Sequence, residues 1–134
     1  MIKKSAIFLA VTLPFSAPLA AEEGFRPLGL SNPLEAANYC RDAALVVTHV
    51  AASLAKEQSY VLISNQQIFS LSLRLMEVKQ TSVNINERAR TASIGTATSV
   101  VASLMHEGRD PNEASDRYYL VARSAAECMT TIAN

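Results

Sequence analysis

Two cysteines and two histidines are the residues of this sequence whose side chains are best suited to chemistry: Cys40, Cys128, His49 and His106. A metal site needs several ligands that converge, and the two histidines fall on different predicted helices, so we expect no metal site. The cysteines are too far apart for a redox pair or a haem attachment motif, and no serine stands in a Gly-x-Ser-x-Gly turn. The sequence therefore predicts a protein that is not an enzyme and carries no cofactor.

The cysteines are better explained by a disulfide bond. An even number of cysteines in a small exported chain is typical of a disulfide framework. A Cys40–Cys128 bond would close a loop of 88 residues, which the chain-entropy model values at roughly 4–5 kcal/mol. Two buried free thiols, or bridges between subunits, are the alternatives. We predict the intramolecular bond.

Export is predicted from the first 21 residues. Lys3 and Lys4 precede an apolar stretch over 5–13, and Leu19-Ala20-Ala21 gives small residues at a cleavage point before two glutamates. This is the order of a secretory signal peptide, and the apolar stretch is about half of the roughly 20 residues that a membrane-spanning helix needs. A retained membrane anchor is the alternative. We expect cleavage near Ala21 and a periplasmic or secreted bacterial protein with no membrane span.

The remaining chain has a composition that limits its partners. Lys3 and Lys4 leave with the signal, so 10 basic and 12 acidic residues remain and the formal net charge is near −2. That charge is too small to steer the protein to nucleic acid or to an anionic membrane. We expect a partner that is another protein, with a homodimer as a further possibility, and no nucleic acid.

Four helices are predicted after an extended arm over 22–32. Each helix has a capping signal at its start: Asn32, Ser64, Asn84 and Asp110 each stand three residues before a Glu or Gln. Gly108 is predicted to end the third helix. The predicted helices follow these caps and cover 33–57, 65–79, 85–107 and 111–133.

The cysteines and the helix order predict one architecture for residues 33–134. Cys40 lies near the start of the first helix and Cys128 near the end of the last, so a bond between them makes these two helices antiparallel neighbours. Four helices with short connections satisfy this relation in up-down-up-down order. The fold class is therefore all-α, a small up-down-up-down four-helix bundle with one disulfide joining its first and last helices.

Apolar spacing predicts which helix faces are buried. The buried line of the last helix is predicted at 114, 118, 121, 125, 128 and 132, which places Tyr118 inside and Tyr119 outside. The second helix has two apolar stripes, one formed by Ile68, Leu71, Leu75 and Val78 and the other by Phe69, Leu73 and Met76. Leu45 falls on the outer side of the first helix. The candidate protein-binding residues are therefore Tyr119, Phe69, Leu73 and Leu45. The alternative for Tyr119 is packing against a neighbouring helix or the arm.

These features lead to hypotheses about function at the level of fold analogy. Disulfide-bonded exported helical domains include periplasmic immunity proteins, which block toxins that attack the cell envelope, and acid-stress chaperones. The leading hypothesis is a non-enzymatic protein-binding module, in the form of an immunity protein or inhibitor. A periplasmic stress chaperone is the second hypothesis, and a small hydrolase with a cryptic site is the third.

Overall fold

The computed structural model describes residues 33–59, 62–79 and 85–133. Four helices account for most of these residues: α1 (Pro33–Glu57), α2 (Asn65–Lys79), α3 (Glu87–His106) and α4 (Ala114–Ala133). No strand occurs within those ranges. The predicted signal peptide, the arm over 22–32 and the capping residues Asn32 and Asn84 lie outside the described residues.

The four helices form the predicted all-α bundle. α1 and α3 each pack on the other three helices, whereas α2 and α4 pack mainly on that central pair. Cys40, near the start of α1, is bonded to Cys128, near the end of α4. At the other end of the pair, the side chain of Asn112 donates a hydrogen bond to the Ala52 carbonyl at 3.0 Å. α1 and α4 are therefore antiparallel neighbours, as the sequence predicts.

Local signals set the ends of α2 and α3. The amide of Gln67 donates to Ser64 Oγ at 3.1 Å, and the amide of Ser64 donates to Gln67 Oε1 at 3.0 Å, which is the predicted capping box. Gly108 has a φ of 108°, and its amide and the next one bond to carbonyls in the last turn of α3. A glycine in this conformation is the usual end of a helix.

Two predicted helix starts need correction. The N-cap of α3 is Asn86, which accepts a hydrogen bond from the Ala89 amide at 2.8 Å, so the helix begins at Glu87 instead of near residue 84. Asp110 accepts from the Asn112 amide at 2.9 Å and so closes a turn instead of capping a helix. Glu113 is the cap of α4, since its carboxylate accepts from the Asp116 amide at 2.8 Å.

The core lies where α1 and α3 meet the other two helices, and it is built mainly from small and aliphatic side chains. Its largest fully buried members include Tyr39, Ile68, Ile94, Leu120 and Ile132. The Thr- and Ser-rich stretch over 91–99 is regular helix. Packing outweighs its low helix propensity, because Ile94 and Ala97 are completely buried there.

Candidate functional site: a groove between the first and last helices

A groove of about 660 Å³ runs along the outer side of the α1–α4 pair. The disulfide holds the two helices that form its walls, with a Cα–Cα distance of 5.6 Å between Cys40 and Cys128 and no exposed surface on either residue. The groove is lined by Arg41, Leu45, Thr48, His49, Ala52, Ser53, Lys56, Asn112, Ala114, Arg117, Tyr118 and Val121.

Helical periodicity explains the wall that α1 contributes. Leu45, His49 and Ser53 follow one another at four-residue spacing, so their side chains lie on one face. Val47 and Ala51, on the opposite face, are buried in the core. Leu45 is 48% exposed. Its predicted place on the outer side of the first helix is therefore correct.

Tyr118 and Val121 provide the apolar part of the α4 wall. Tyr118 is the more exposed of the two and has 79% of its surface accessible, although it lines the groove. Thr48 contributes to the floor from α1 and is buried, and its hydroxyl has no hydrogen-bond partner among the residues that the structure describes. The groove thus combines apolar side chains in its walls with the buried Thr48 hydroxyl on its floor and a large exposed aromatic side chain at its edge.

The charged side chains of the groove are all cationic. Arg41, Lys56 and Arg117 line it, and no Asp or Glu is among its described lining residues. Arg41 makes an ion pair with Asp42 at 3.7 Å, but the Arg41 side chain is 62% exposed. Exposed pairs of this kind are weak. The groove is therefore a local basic surface on a chain whose 12 basic and 12 acidic residues balance overall.

Three polar residues of the groove have the composition of a hydrolase site without its geometry. Ser53 and Lys56 form a Ser-x-x-Lys spacing, and His49 lies one turn earlier on the same face. All three are exposed, and no hydrogen bond joins them within the described chain. Because α1 ends at Glu57, Ser53 lies near the C-terminal end of the helix. The helix dipole there disfavours a negatively charged oxygen.

The structure reverses the environments predicted for the two adjacent tyrosines. Tyr118 is exposed instead of buried, and Tyr119 packs partly buried against the core. The guanidinium of Arg109 stacks over the Tyr119 ring at 4.0 Å, and Arg123 donates a hydrogen bond to the Tyr119 hydroxyl at 2.8 Å. Tyr119 is therefore packed, as in the alternative that the sequence leaves open, and is not free for a partner. Tyr118, which the apolar spacing predicts to lie inside, is the free ring.

Phe69 and Leu73 also belong to the core and not to a free surface. Both are partly buried and pack against the central cluster, with Phe69 beside Gly95 of α3. The exposed apolar side chains of α2 belong to the other predicted stripe: Leu71, Leu75 and Val78. Neither candidate residue is therefore a freely exposed contact for a partner, and association of the protein stays a prediction.

A second, more polar depression of about 460 Å³ lies between α3 and α4. Arg109, Arg123 and Tyr119 line it together with Glu107 and Glu127. Its positive and negative side chains are mixed, and Arg109 is engaged by Asp116 at 3.1 Å. The α1–α4 groove is therefore the better candidate for a binding site.

Neither a metal-binding cluster nor a membrane-spanning helix occurs in the part of the chain that the structure describes. No group of three or more His, Cys, Asp or Glu side chains is arranged to hold a metal ion in the described ranges. None of the four helices is long and apolar enough to cross a membrane. The chain matches no protein-family model, no curated protein and no solved structure.

Sequence reasoning found Leu45 but missed the other principal residues of the groove. Arg41, Arg117 and Tyr118 went unnoticed as a set because they lie on two helices that are far apart in the sequence. One signal was available: the predicted pairing of α1 and α4 through the cysteines implies that the outer faces of both helices form one surface. With the predicted faces, that surface would have contained Tyr119 instead of Tyr118, because the apolar spacing places Tyr118 inside.

Proposed function

We propose that this protein is an exported, non-enzymatic module that binds another protein, and that the α1–α4 groove holds the partner. The observation that carries the proposal is the exposure of Leu45 and Tyr118 in one groove. Exposed aromatic and aliphatic side chains next to arginines are typical of the anchors that dominate protein interfaces. The groove offers all three kinds of side chain together.

The disulfide supports an oxidising compartment, because such bonds form and persist outside the cytosol. Together with the signal-like first 21 residues, it favours the periplasm as the place of action. The partner that we propose is a secreted toxin or an enzyme that acts on the cell envelope. The protein would then serve as an immunity protein or inhibitor that covers part of the partner's surface.

An inhibitor fits the groove better than a stress chaperone does. The groove is formed by two helices that a buried disulfide holds together and that Asn112 links at the other end. Preorganised surfaces favour a single well-matched partner, because little ordering entropy is lost on binding. A chaperone that opens to bind many unfolded chains would gain little from such a frame.

Affinity capture tests the proposal. The oxidised, tagged protein is used to capture proteins from the envelope of the source cells, beside the variants Leu45→Glu and Leu75→Glu. The two leucines are similarly exposed, at 48% and 43%, but only Leu45 lies in the groove. We expect the wild type and Leu75→Glu to capture one partner in roughly equal amounts, and Leu45→Glu to lose it, as for a hot spot worth about 2 kcal/mol or more.

Each of the other outcomes has a defined meaning. If the wild type captures nothing, or if both variants capture as well as the wild type, the groove is not the binding surface. Capture of many unrelated unfolded proteins would support the chaperone instead. Turnover of an ester or amide substrate that Ser53→Ala abolishes would support the hydrolase.

A further inference from the structure

We infer that the α1–α4 groove binds an acidic amphipathic helix of its partner, whose carboxylates pair with Arg41, Lys56 and Arg117. This inference rests on the proposed protein-binding function and specifies the chemistry of the segment that is bound. It is carried by the length of the groove, by its charge and by the exposure of its walls.

The length of the groove suits a helix. Its lining residues on α1 extend from Arg41 to Lys56, a distance of about 22 Å at a rise of about 1.5 Å per residue. A helix of about four turns has the same length. A groove between two packed helices is also a common binding site for an amphipathic helix, whose apolar face then lies in the groove.

Small side chains allow a helix to approach closely at one end of the groove. Ala52 and Ser53 from α1 and Ala114 from α4 line that end. Larger apolar side chains, Leu45 and Tyr118, line the remainder and would contact the apolar stripe of the incoming helix. These side chains are therefore placed to contact the apolar face of a helix.

The charged residues of the groove determine which charged side chains the bound helix should carry beside its apolar stripe. Arg41 and Lys56 stand at the two ends of the α1 wall, and Arg117 stands on the α4 wall. Lys56 and Arg117 make no ion pair with any residue that the structure describes. A basic helix would place like charges next to Arg41, Lys56 and Arg117. An acidic helix would have a cation near each of its ends and a third beside it. Charge complementarity of this kind sets the specificity and the association rate of binding.

The exposure of the walls favours a macromolecule over a small anionic amphiphile. Sites for small molecules bury about 70–90% of the ligand. Tyr118 and Leu45 are 79% and 48% exposed, so the groove does not enclose its occupant. A fatty-acid anion has matching chemistry but would leave most of these walls in water.

Binding of designed peptides to the whole oxidised protein tests the inference. The first probe is a fluorescent, helix-stabilised peptide of about four turns with a leucine stripe flanked by glutamates. The second has lysine in place of each glutamate, and dodecanoate competes as a small amphiphile. We expect the glutamate peptide to bind more tightly than the lysine peptide, with an affinity that falls as salt is added.

Variants locate the site. Arg117→Gln and Lys56→Gln should each weaken binding of the glutamate peptide about twofold to fivefold at low salt, as exposed ion pairs do. Arg74→Gln removes an exposed arginine of α2 outside the groove and should change nothing. Thermal unfolding confirms that each variant is folded.

The inference is overturned if the two peptides bind equally, if neither binds, if dodecanoate alone binds, or if Arg74→Gln weakens binding as much as Arg117→Gln does. The proposed function survives each of these results provided that the wild type still captures a partner that Leu45→Glu loses. If that capture fails as well, the function itself is wrong. The two failures are therefore distinguishable.

Discussion

Removal of the Cys40–Cys128 bond is the perturbation whose cost can be worked out most directly from the structure. The bond joins residues 88 positions apart. The chain-entropy model gives about 4–5 kcal/mol at 25 °C for a loop of this length. Small domains have a net stability of about 5–15 kcal/mol, so the double variant Cys40→Ala, Cys128→Ala should lose a large part of it.

Thermal unfolding followed by circular dichroism measures this loss. For a domain of this size, 1 kcal/mol corresponds to roughly 4–8 °C, so the midpoint of the double variant should fall by about 15–40 °C relative to the oxidised wild type. Reductant should act slowly on the native protein, because neither cysteine is exposed, and faster in urea. A midpoint within a few degrees of the wild type would refute the reasoning, because it would mean that the bond does not lower the conformational entropy of the unfolded chain.

Three further predictions concern single side chains, each measured as the difference in stability from the wild type. Tyr119→Ala should lower the free energy of unfolding by about 1–3 kcal/mol, because the Tyr119 ring and hydroxyl both have partners. Tyr118→Ala should change it by no more than about 0.5 kcal/mol. Equal losses would contradict the assignment of Tyr119 as packed and Tyr118 as free. Burial raises the pKa of Tyr39 from 10.0 to about 12, so wild-type stability should fall as the pH rises through that range, and Tyr39→Phe should lack this fall. Hydrogen bonds from the Asp110 amide and from Arg109 hold the pKa of Asp116 below its ordinary value of 3.8. The wild type should therefore be more stable than Asp116→Asn at a pH above the ordinary aspartate pKa, and this stability difference should disappear as the pH falls through the lowered pKa of Asp116. A stability difference that does not change with pH would contradict this prediction.

Helix positions were predictable from the sequence where their signals are local. The Ser64–Gln67 box and Gly108 act through backbone groups within a few residues, so α2 and the end of α3 were predicted correctly. The pairing of α1 with α4 followed from the compartment and from the positions of the two cysteines. Asp110 misled the prediction because an aspartate can close a turn as well as cap a helix.

The orientation of the helices about their axes was less predictable, because hydroxyl side chains occupy core positions. Ser124 is fully buried, and its hydroxyl donates a hydrogen bond to the Leu120 carbonyl at 2.7 Å. It therefore belongs to the buried face of α4 together with Leu120 and Cys128. An apolar-spacing rule skips serine and selects a line through Tyr118 instead. Ser72 of α2 is also completely buried, and a rule that skips serine does not show that Phe69 and Leu73 face the core.

Site-specific photo-crosslinking in living cells is the most direct test of the groove as the binding surface. A photoreactive phenylalanine analogue replaces Tyr118 in the groove in one variant and Leu75 on α2 in the other, so both probes start from exposed positions. Irradiation should join the protein to one partner from position 118 and to none from position 75. A partner joined from position 75 and not from 118 would contradict the assignment of the groove.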